Sequence, residues 1–440
     1  MSVVTFTGKK FEMSVLAPSD YQRWESTVVN WNDISEFLAA ADLADGLHVI
    51  ADPSGLPIEI LIHGVRAESK SIALPVFFTG AVDKRSEKVG PFFSGRSLAQ
   101  TAGCGFVAIS DPTLNIDRSL GLAWYAGSGN QDVQGKITTL LVKIAEFYSR
   151  ELLLIGGSGG GFAALYFGYQ LGDKCSVLAW NPQTDIFKYS PSASKAYFES
   201  AFGPQILSAL QAPRWEDPTK EFLDEFQITY DLMGLAEAGS PPRRILVFQN
   251  ASDWHVGHHF APFISAAGFR HVGRGVHEKD TLRLAILRDF GVDHAPLPST
   301  AVLAAMGSLM TLENDAHSVL RKVDAALPVS ARPFSTLPRD LSVLTPRITE
   351  ELTLDVSQTA GVWTARVELG EMPWGYGGTT YSFFHSTGAS THLYPAQSEP
   401  SFEFEAAQES WDRVGVVVKD GFLNEILVLR RALSAESATA

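Results

Sequence analysis

Six short, almost uninterrupted apolar runs constrain the fold of this chain more than any other feature. They are "IALPVFFTG" ending at Gly80, "GCGFVAIS" (103–110), "RELLLIGG" (150–157), "KCSVLAWN" (174–181), "RRILVFQN" (243–250) and "TLRLAILRDFG" (281–291). A strand with one wet face alternates apolar and polar residues, whereas a strand covered on both faces reads as a continuous apolar run. Helical spacing fills several of the gaps. Val133, Ile137, Leu140, Leu141 and Ile144 recur on one helix face after Asp132, a side chain suited to an N-cap, and Phe162, Leu165, Tyr166 and Tyr169 do the same after a glycine cluster. Strand alternating with helix predicts an α/β architecture, a mostly parallel sheet flanked by helices on both faces.

The third run continues into "ELLLIGGSGGGF" (151–162), in which five glycines surround one serine. The window from Gly156 to Gly160 fits the G-x-S-x-G turn that presents a nucleophile, but a glycine run opening a helix also cradles phosphate. The phosphate readings lack their partners. No G-x-x-x-x-G-K-[ST] lysine follows, the next basic residue being Lys174, and "KCSVLAWN" ends without the acid a dinucleotide site places there. Serine is a weak nucleophile and needs a base within reach, an acid to orient the base, and donors for the developing oxyanion. Asp253, in "QNASDWHV", and His294, in "GVDHAPLP", each follow an apolar run, where a parallel sheet carries its functional loops.

Strand, "GGSGG", helix, further strands, then an acid and a histidine on later loops: this layout resembles the α/β-hydrolase fold, over roughly residues 60–327. The resemblance implies Ser158 as nucleophile, His294 as base and Asp253 as acid, in the chain order serine, acid, histidine. Asp185, in "NPQTDI", is a competing acid, because some members carry it after the strand that follows the elbow helix. The implied oxyanion hole is the amide of Gly159 with that of Gly80 or Ala81 in "FFTGAV"; the HGGG form of lipases is absent there. His255, His258 and His259 crowd the Asp253 loop, but their spacing lacks a helical H-E-x-x-H or a cysteine partner, so they read as surface or pocket histidines and no metal or other cofactor is expected.

The chain divides into a mixed α/β region (1–64), a catalytic domain (65–327) with an inserted cap at about 186–242, a proline-containing linker (328–347) and a C-terminal region (348–440). "STAVLAAMGSLMTLENDAHSVLRKVDAAL" (299–327) reads as one long helix beginning at Ser299. Beyond the linker the period switches to two, through Leu352, Leu354 and Val356, then Trp363 to Leu369, Phe402 and Phe404, and Val414 to Val418, which predicts a small antiparallel β-sandwich. Tyr381, Phe383, Tyr394, Phe402, Phe404, Val416, Lys419 and Asp420 make it loosely similar to Ig-like modules of bacterial surface-polysaccharide proteins. Trp363, Trp374, Tyr376 and Trp411 read either as a sandwich core or as a sugar-stacking platform.

A net charge of −14 without a Lys/Arg run argues against a nucleic acid or an anionic membrane as partner. A small-molecule or carbohydrate ester remains the expected substrate, and the oligomeric state is open. The long uncharged stretch Leu152–Gly172 is broken by its glycines and is not expected to span a membrane. Two cysteines, Cys104 and Cys175, and an N-terminus without a secretory pattern fit a reducing, cytoplasmic setting. The first functional expectation is therefore a serine esterase working through an acyl-enzyme. The alternatives are an O-acyltransferase, in which a sugar hydroxyl replaces water, as in an accessory-export O-acetyltransferase of serine-rich glycoproteins with the same general layout, and a binding scaffold that keeps the fold without the chemistry.

Overall fold

The computed structural model describes residues 19–65, 71–273, 275–311, 315–328, 352–359, 361–368, 380–388, 390–397, 399–404, 411–419 and 425–433. Its main sheet is built, in chain order, from β1 (Val28–Trp31), β2 (Gly46–Ile50), β3 (Ile58–His63), β4 (Ala73–Phe78), β5 (Phe106–Ile109), β6 (Glu151–Gly157), β7 (Cys175–Trp180), β8 (Arg244–Asn250), β9 (Arg270–Gly273), β10 (Val276–Asp280) and β11 (Arg283–Arg288). Their order across the sheet is β1-β2-β3-β5-β4-β6-β7-β8-β11-β10-β9. From β5 through β4, β6, β7 and β8 to β11 every pairing is parallel, while β3 runs antiparallel to both of its neighbours. The six apolar runs are β4 to β8 and β11. Every residue of β4 and β8 is buried, which is what their lack of alternation requires.

The region 1–64, set apart in the sequence, supplies β1 to β3 to this same sheet, with β3 paired to β5. It is continuous with the region that follows through backbone hydrogen bonds. The mostly apolar β3 ("IEILIH") carries one acidic residue, Glu59, that is itself fully buried.

Alternate residues of each central strand feed two apolar layers. Leu152 and Leu154 of β6 face the layer that also holds Ile137, Phe162, Val177 and Val247, whereas Leu153 and Ile155 face Phe77, Leu178, Leu246, Met306 and Val319. Full burial of each such side chain contributes about 1.5–3 kcal/mol relative to leaving it in water. Helices α1 (Ile34–Ala39), α3 (Val133–Tyr148) and α4 (Gly159–Leu171) belong to the first layer, and α2 (Arg96–Ala102) contributes to the second. The Asp132 side chain accepts from the Gly135 amide at 2.8 Å and so caps α3.

The stretch 186–242 holds α5 (Pro191–Phe202), α6 (Leu207–Leu210), α7 (Glu216–Glu225) and α8 (Met233–Ala238), with aromatic contacts of Phe187 and Phe198 to Trp215 and of Phe202 to Phe222 packing α5 against α7 and the residue before it. After β8, a π-helical turn (Val256–Phe260) runs into α9 (Ala261–Ala266). The single long helix expected over 299–327 is two helices, α10 (Ser299–Leu309) and α11 (Ala316–Ala326). Asp315 explains the restart: its carboxylate accepts from the Ser318 amide at 2.7 Å, an N-cap in mid-pattern. The Thr300 hydroxyl reaches the Ala326 carbonyl at 3.2 Å, so the pair folds back on itself and lays both apolar faces on the second layer.

Seven further strands follow: β12 (Thr353–Thr359), β13 (Val362–Glu368), β14 (Thr380–Thr387), β15 (Ser390–Leu393), β16 (Ser401–Phe404), β17 (Arg413–Lys419) and β18 (Glu425–Ala432). They form two antiparallel sheets, β12-β13-β16 and β15-β14-β17-β18. Phe383 of one stacks on Phe402 of the other, with centroids 5.5 Å apart, so the sheets meet through aromatic rings. Trp411 lies on His385 at 4.1 Å and against Phe404, a packing role; Trp374, Tyr376 and Asp420 lie outside the described residues. Among the described residues no helix is long and apolar enough to cross a membrane.

Candidate active site

Ser158 sits between β6 and α4 with φ 54° and ψ −122°, on the side of backbone space that a side chain occupies only under strain. The surrounding glycines make that turn sterically feasible. A Cβ at Gly156 would lie 2.0 Å from the Gly160 carbonyl oxygen, and one at Gly160 would lie 2.5 Å from that of Phe78. The Ser158 carbonyl accepts from the amides of Gly161 and Phe162, leaving the Gly159 amide at the open helix end. From the other side the loop after β4 closes in: a Cβ on Gly80 would be 3.7 Å from the Ser158 Cβ.

The Ser158 hydroxyl accepts a hydrogen bond from Gln183 Nε2 at 3.0 Å. Gln183 in turn accepts from the indole N–H of Trp124, a group that only donates, which fixes which end of the amide faces the serine. A cavity of about 350 Å³ opens beside the serine. Phe77, Phe78, Leu98, Ile155, Trp180 and Pro296 line it together with Gly80, Ala81, Ser158 and His294.

Asp253 follows β8, and its carboxylate is wholly buried. His294 follows β11, is partly exposed, and donates from Nδ1 to Asp253 Oδ2 at 2.7 Å. The other oxygen, Oδ1, accepts from His255 Nδ1 at 2.7 Å and from the His255 amide at 3.0 Å, while Gln249 Nε2 reaches Oδ2 at 3.1 Å. Burial pushes the Asp253 carboxyl up, but the hydrogen bonds from His255 and His294 outweigh it and hold the group down at about 2. Asp253 is thus an anion with both oxygens occupied.

Asp185 has a different task. Its carboxylate accepts from the Phe187 amide at 2.8 Å and caps the short turn Ile186–Lys188. Burial, and then the nearby Asp231, push it up to about 6. The carboxylate that His294 meets is that of Asp253.

Two of the three neighbouring histidines are buried, contrary to one reading of their spacing, and His258 is half-buried. His255, which precedes the π-helical turn, and His259 within it are fully buried, both against Trp254; His259 Nδ1 accepts from the Thr184 amide at 3.2 Å. Asp253, His255 and His294 offer potential metal-ligating atoms within 4.8 Å of one another. Ligands at about 2.1 Å from a tetrahedral zinc lie about 3.4 Å apart. The 2.7 Å separations between both Nδ1 atoms and the carboxylate are shorter, and are those of N–H···O hydrogen bonds.

A mostly parallel sheet in which β3 and β10 are reversed, a strained serine at the tip of β6, and an acid and a histidine beyond β8 and β11 together decide the architecture. The fold is that of an α/β-hydrolase. No protein-family model matches the chain, and no curated protein matches it. Solved structures to which it is similar include the capsule O-acetyltransferase of Neisseria meningitidis serogroup A, at 15% identity over 59% of this chain and 92% of that one, with a TM-score of 0.39. An S-formylglutathione hydrolase from Agrobacterium tumefaciens is 14% identical over 59% of this chain and 96% of that one, TM-score 0.34. Fungal esterases from Rhizomucor miehei give 14% over 66% and 82%, TM-score 0.33. Likeness at this level does not bear on substrate or reaction.

On this α/β-hydrolase frame Gln183 carried no usable signal in the sequence, and His255 was visible as a residue of the Asp253 loop but not as a partner of its carboxylate. Gln183 is one polar residue in a loop of several, and only the Trp124 indole makes it a directed donor. His255 stands two positions after Asp253, but its inward turn depends on the π-helical start of the next helix.

Proposed function

We propose that the protein is a serine hydrolase that cleaves a neutral ester through an acyl-enzyme on Ser158. The observation that carries this reading is the 2.7 Å hydrogen bond between His294 Nδ1 and the anionic Asp253, with His294 and the strained Ser158 on the wall of one cavity. Gln183 fills one lone pair of the Ser158 oxygen and leaves the hydroxyl proton free for His294 Nε2. As Oγ bonds to the carbonyl carbon, that proton moves to Nε2, and Asp253 stabilises the resulting imidazolium without taking its proton. The carbonyl oxygen becomes an oxyanion for the amides of Gly159 and of Gly80 or Ala81. Collapse breaks the bond to the alcohol, which leaves with the proton from His294, and water repeats the sequence on the acyl-enzyme.

The cavity supports an apolar acyl part. Its lining includes neither Lys, Arg, Asp nor Glu, and an apolar cavity of about 150 Å³ already encloses a benzene. The test is a fluorophosphonate probe together with nitrophenyl esters of increasing chain length, on wild type and on Ser158→Ala, His294→Ala, Asp253→Asn and Asp185→Asn. Labelling and turnover vanish in Ser158→Ala, and turnover falls by about 10³-fold or more in His294→Ala and Asp253→Asn. Asp185→Asn stays active. A folded wild type that neither labels nor turns over any ester overturns the reading in favour of a binding scaffold.

A further inference from the structure

Asp253 serves two histidines, and only one of them faces the cavity with Ser158. The second, His255, is 1% exposed and lies face to face with His294, ring centroids 4.3 Å apart and planes 25° apart. Trp254 packs on its ring at 4.1 Å. An imidazole this enclosed, holding one carboxylate oxygen while lying on the imidazole that holds the other, fixes three things at once. It sets the rotation of the carboxylate about Cβ–Cγ, it sets the plane of the His294 ring, and it denies Oδ1 to any other donor.

We propose that His255 is a positioning residue which, by donating to Asp253 Oδ1 and stacking on His294, aims the Asp253–His294 pair at Ser158. The proposal rests on the serine-hydrolase reading. His255 does not touch the reacting atoms: its Nε2 is buried and has no hydrogen-bond partner among the described residues. With Nδ1–H given to Asp253, that Nε2 is a bare acceptor, so the ring is neutral, and burial lowers its affinity for a proton further. Neutrality is what the arrangement needs. When His294 becomes an imidazolium during acylation, a second cation stacked on it would oppose the transfer, whereas a neutral ring does not.

The experiment separates donor, ring and packing. His255→Phe keeps a stacked ring and removes the donor, His255→Ala removes both, and His255→Asn restores an amide N–H at the place of Nδ1. Thermal midpoints and near-ultraviolet circular dichroism establish that each variant is folded before kinetics are read. In His255→Phe and His255→Ala, kcat on a nitrophenyl ester falls by about 10²-fold while KM stays within about threefold, the pattern of a misaimed proton relay. His255→Asn recovers most of the lost kcat. A folded His255→Phe with kcat within threefold of wild type overturns the proposal, and so does His255→Asn as slow as His255→Ala, which would make the histidine mere packing. Wild type inert towards both probe and esters would instead sink the hydrolase reading, and this role with it.

Discussion

At Gly156 a single methyl group decides whether the elbow can form, since its carbon would lie 2.0 Å from a backbone oxygen of the helix that starts three residues on. Neither partner is a flexible side-chain end, so the strain cannot be relieved locally. Gly156→Ala is expected to lower stability by about 1–3 kcal/mol, the cost typical of overpacking. Urea denaturation checks this, and an unchanged midpoint would show that the turn has more room than its contacts indicate. The same scale holds what the sequence did and did not reveal of the site. The strained turn at Ser158 was legible because a strand before, a helix after and an ordered acid and histidine accompany its glycines, and the meeting of Asp253 with His294 because each follows an apolar run. Between Asp253 and Asp185 the sequence left a choice, because both follow strands; what differs is local, one carboxylate capping a turn and the other held by two imidazoles.

Elements were read from period and punctuation, and the outcomes follow the strength of those signals. The six covered strands stand where the apolar runs are, and α3 begins after Asp132 as its cap predicts. Asp132→Ala should cost about 1 kcal/mol, measured as a shift in the denaturation midpoint, because the Gly135 amide loses its acceptor. Where one pattern covered two elements the reading merged them. The apolar positions of 299–327 keep helical spacing straight through Asp315, and periodicity registers a face without registering that the axis turns back. β1 to β3 were missed as part of the main sheet for a related reason: pairing across a sheet links residues distant in sequence, and no local pattern records it.

Across the whole molecule the buried acids set how folding responds to pH. Glu59 lies on β3 beneath the incoming chain, its carboxylate accepting from Ser19 at 3.0 Å and from Asn115 at 3.4 Å; burial outweighs these bonds and pushes it up to about 7. Burial likewise lifts Asp111 and Asp185 to about 6. For each, the folded chain keeps a proton that the unfolded chain has already released at about pH 4. The stability they contribute is therefore complete below that pH and is lost as pH rises through 6 to 7. Asp253, held down at about 2, acts in the opposite sense: its share is present above pH 4 and is lost only as pH falls towards 2. The buried histidines His48, His255 and His259, whose proton affinity burial lowers, act in the opposite sense between pH 5 and pH 8, so the test is differential: relative to wild type, Glu59→Gln should raise the thermal midpoint more at pH 8 than at pH 5. A wild-type-to-variant difference that is the same at both pH values would contradict the assignment. The order in which strands carry the site has a last consequence for the chain as it is made. Ser158 leaves the ribosome on β6 long before the loop beyond β11 that bears His294, and β11 must first dock on β8. On the proposed hydrolase reading, a nascent chain thus holds its nucleophile without the base until most of the sheet is assembled, and reactivity would appear late in synthesis, once the surrounding walls already limit what can reach the serine.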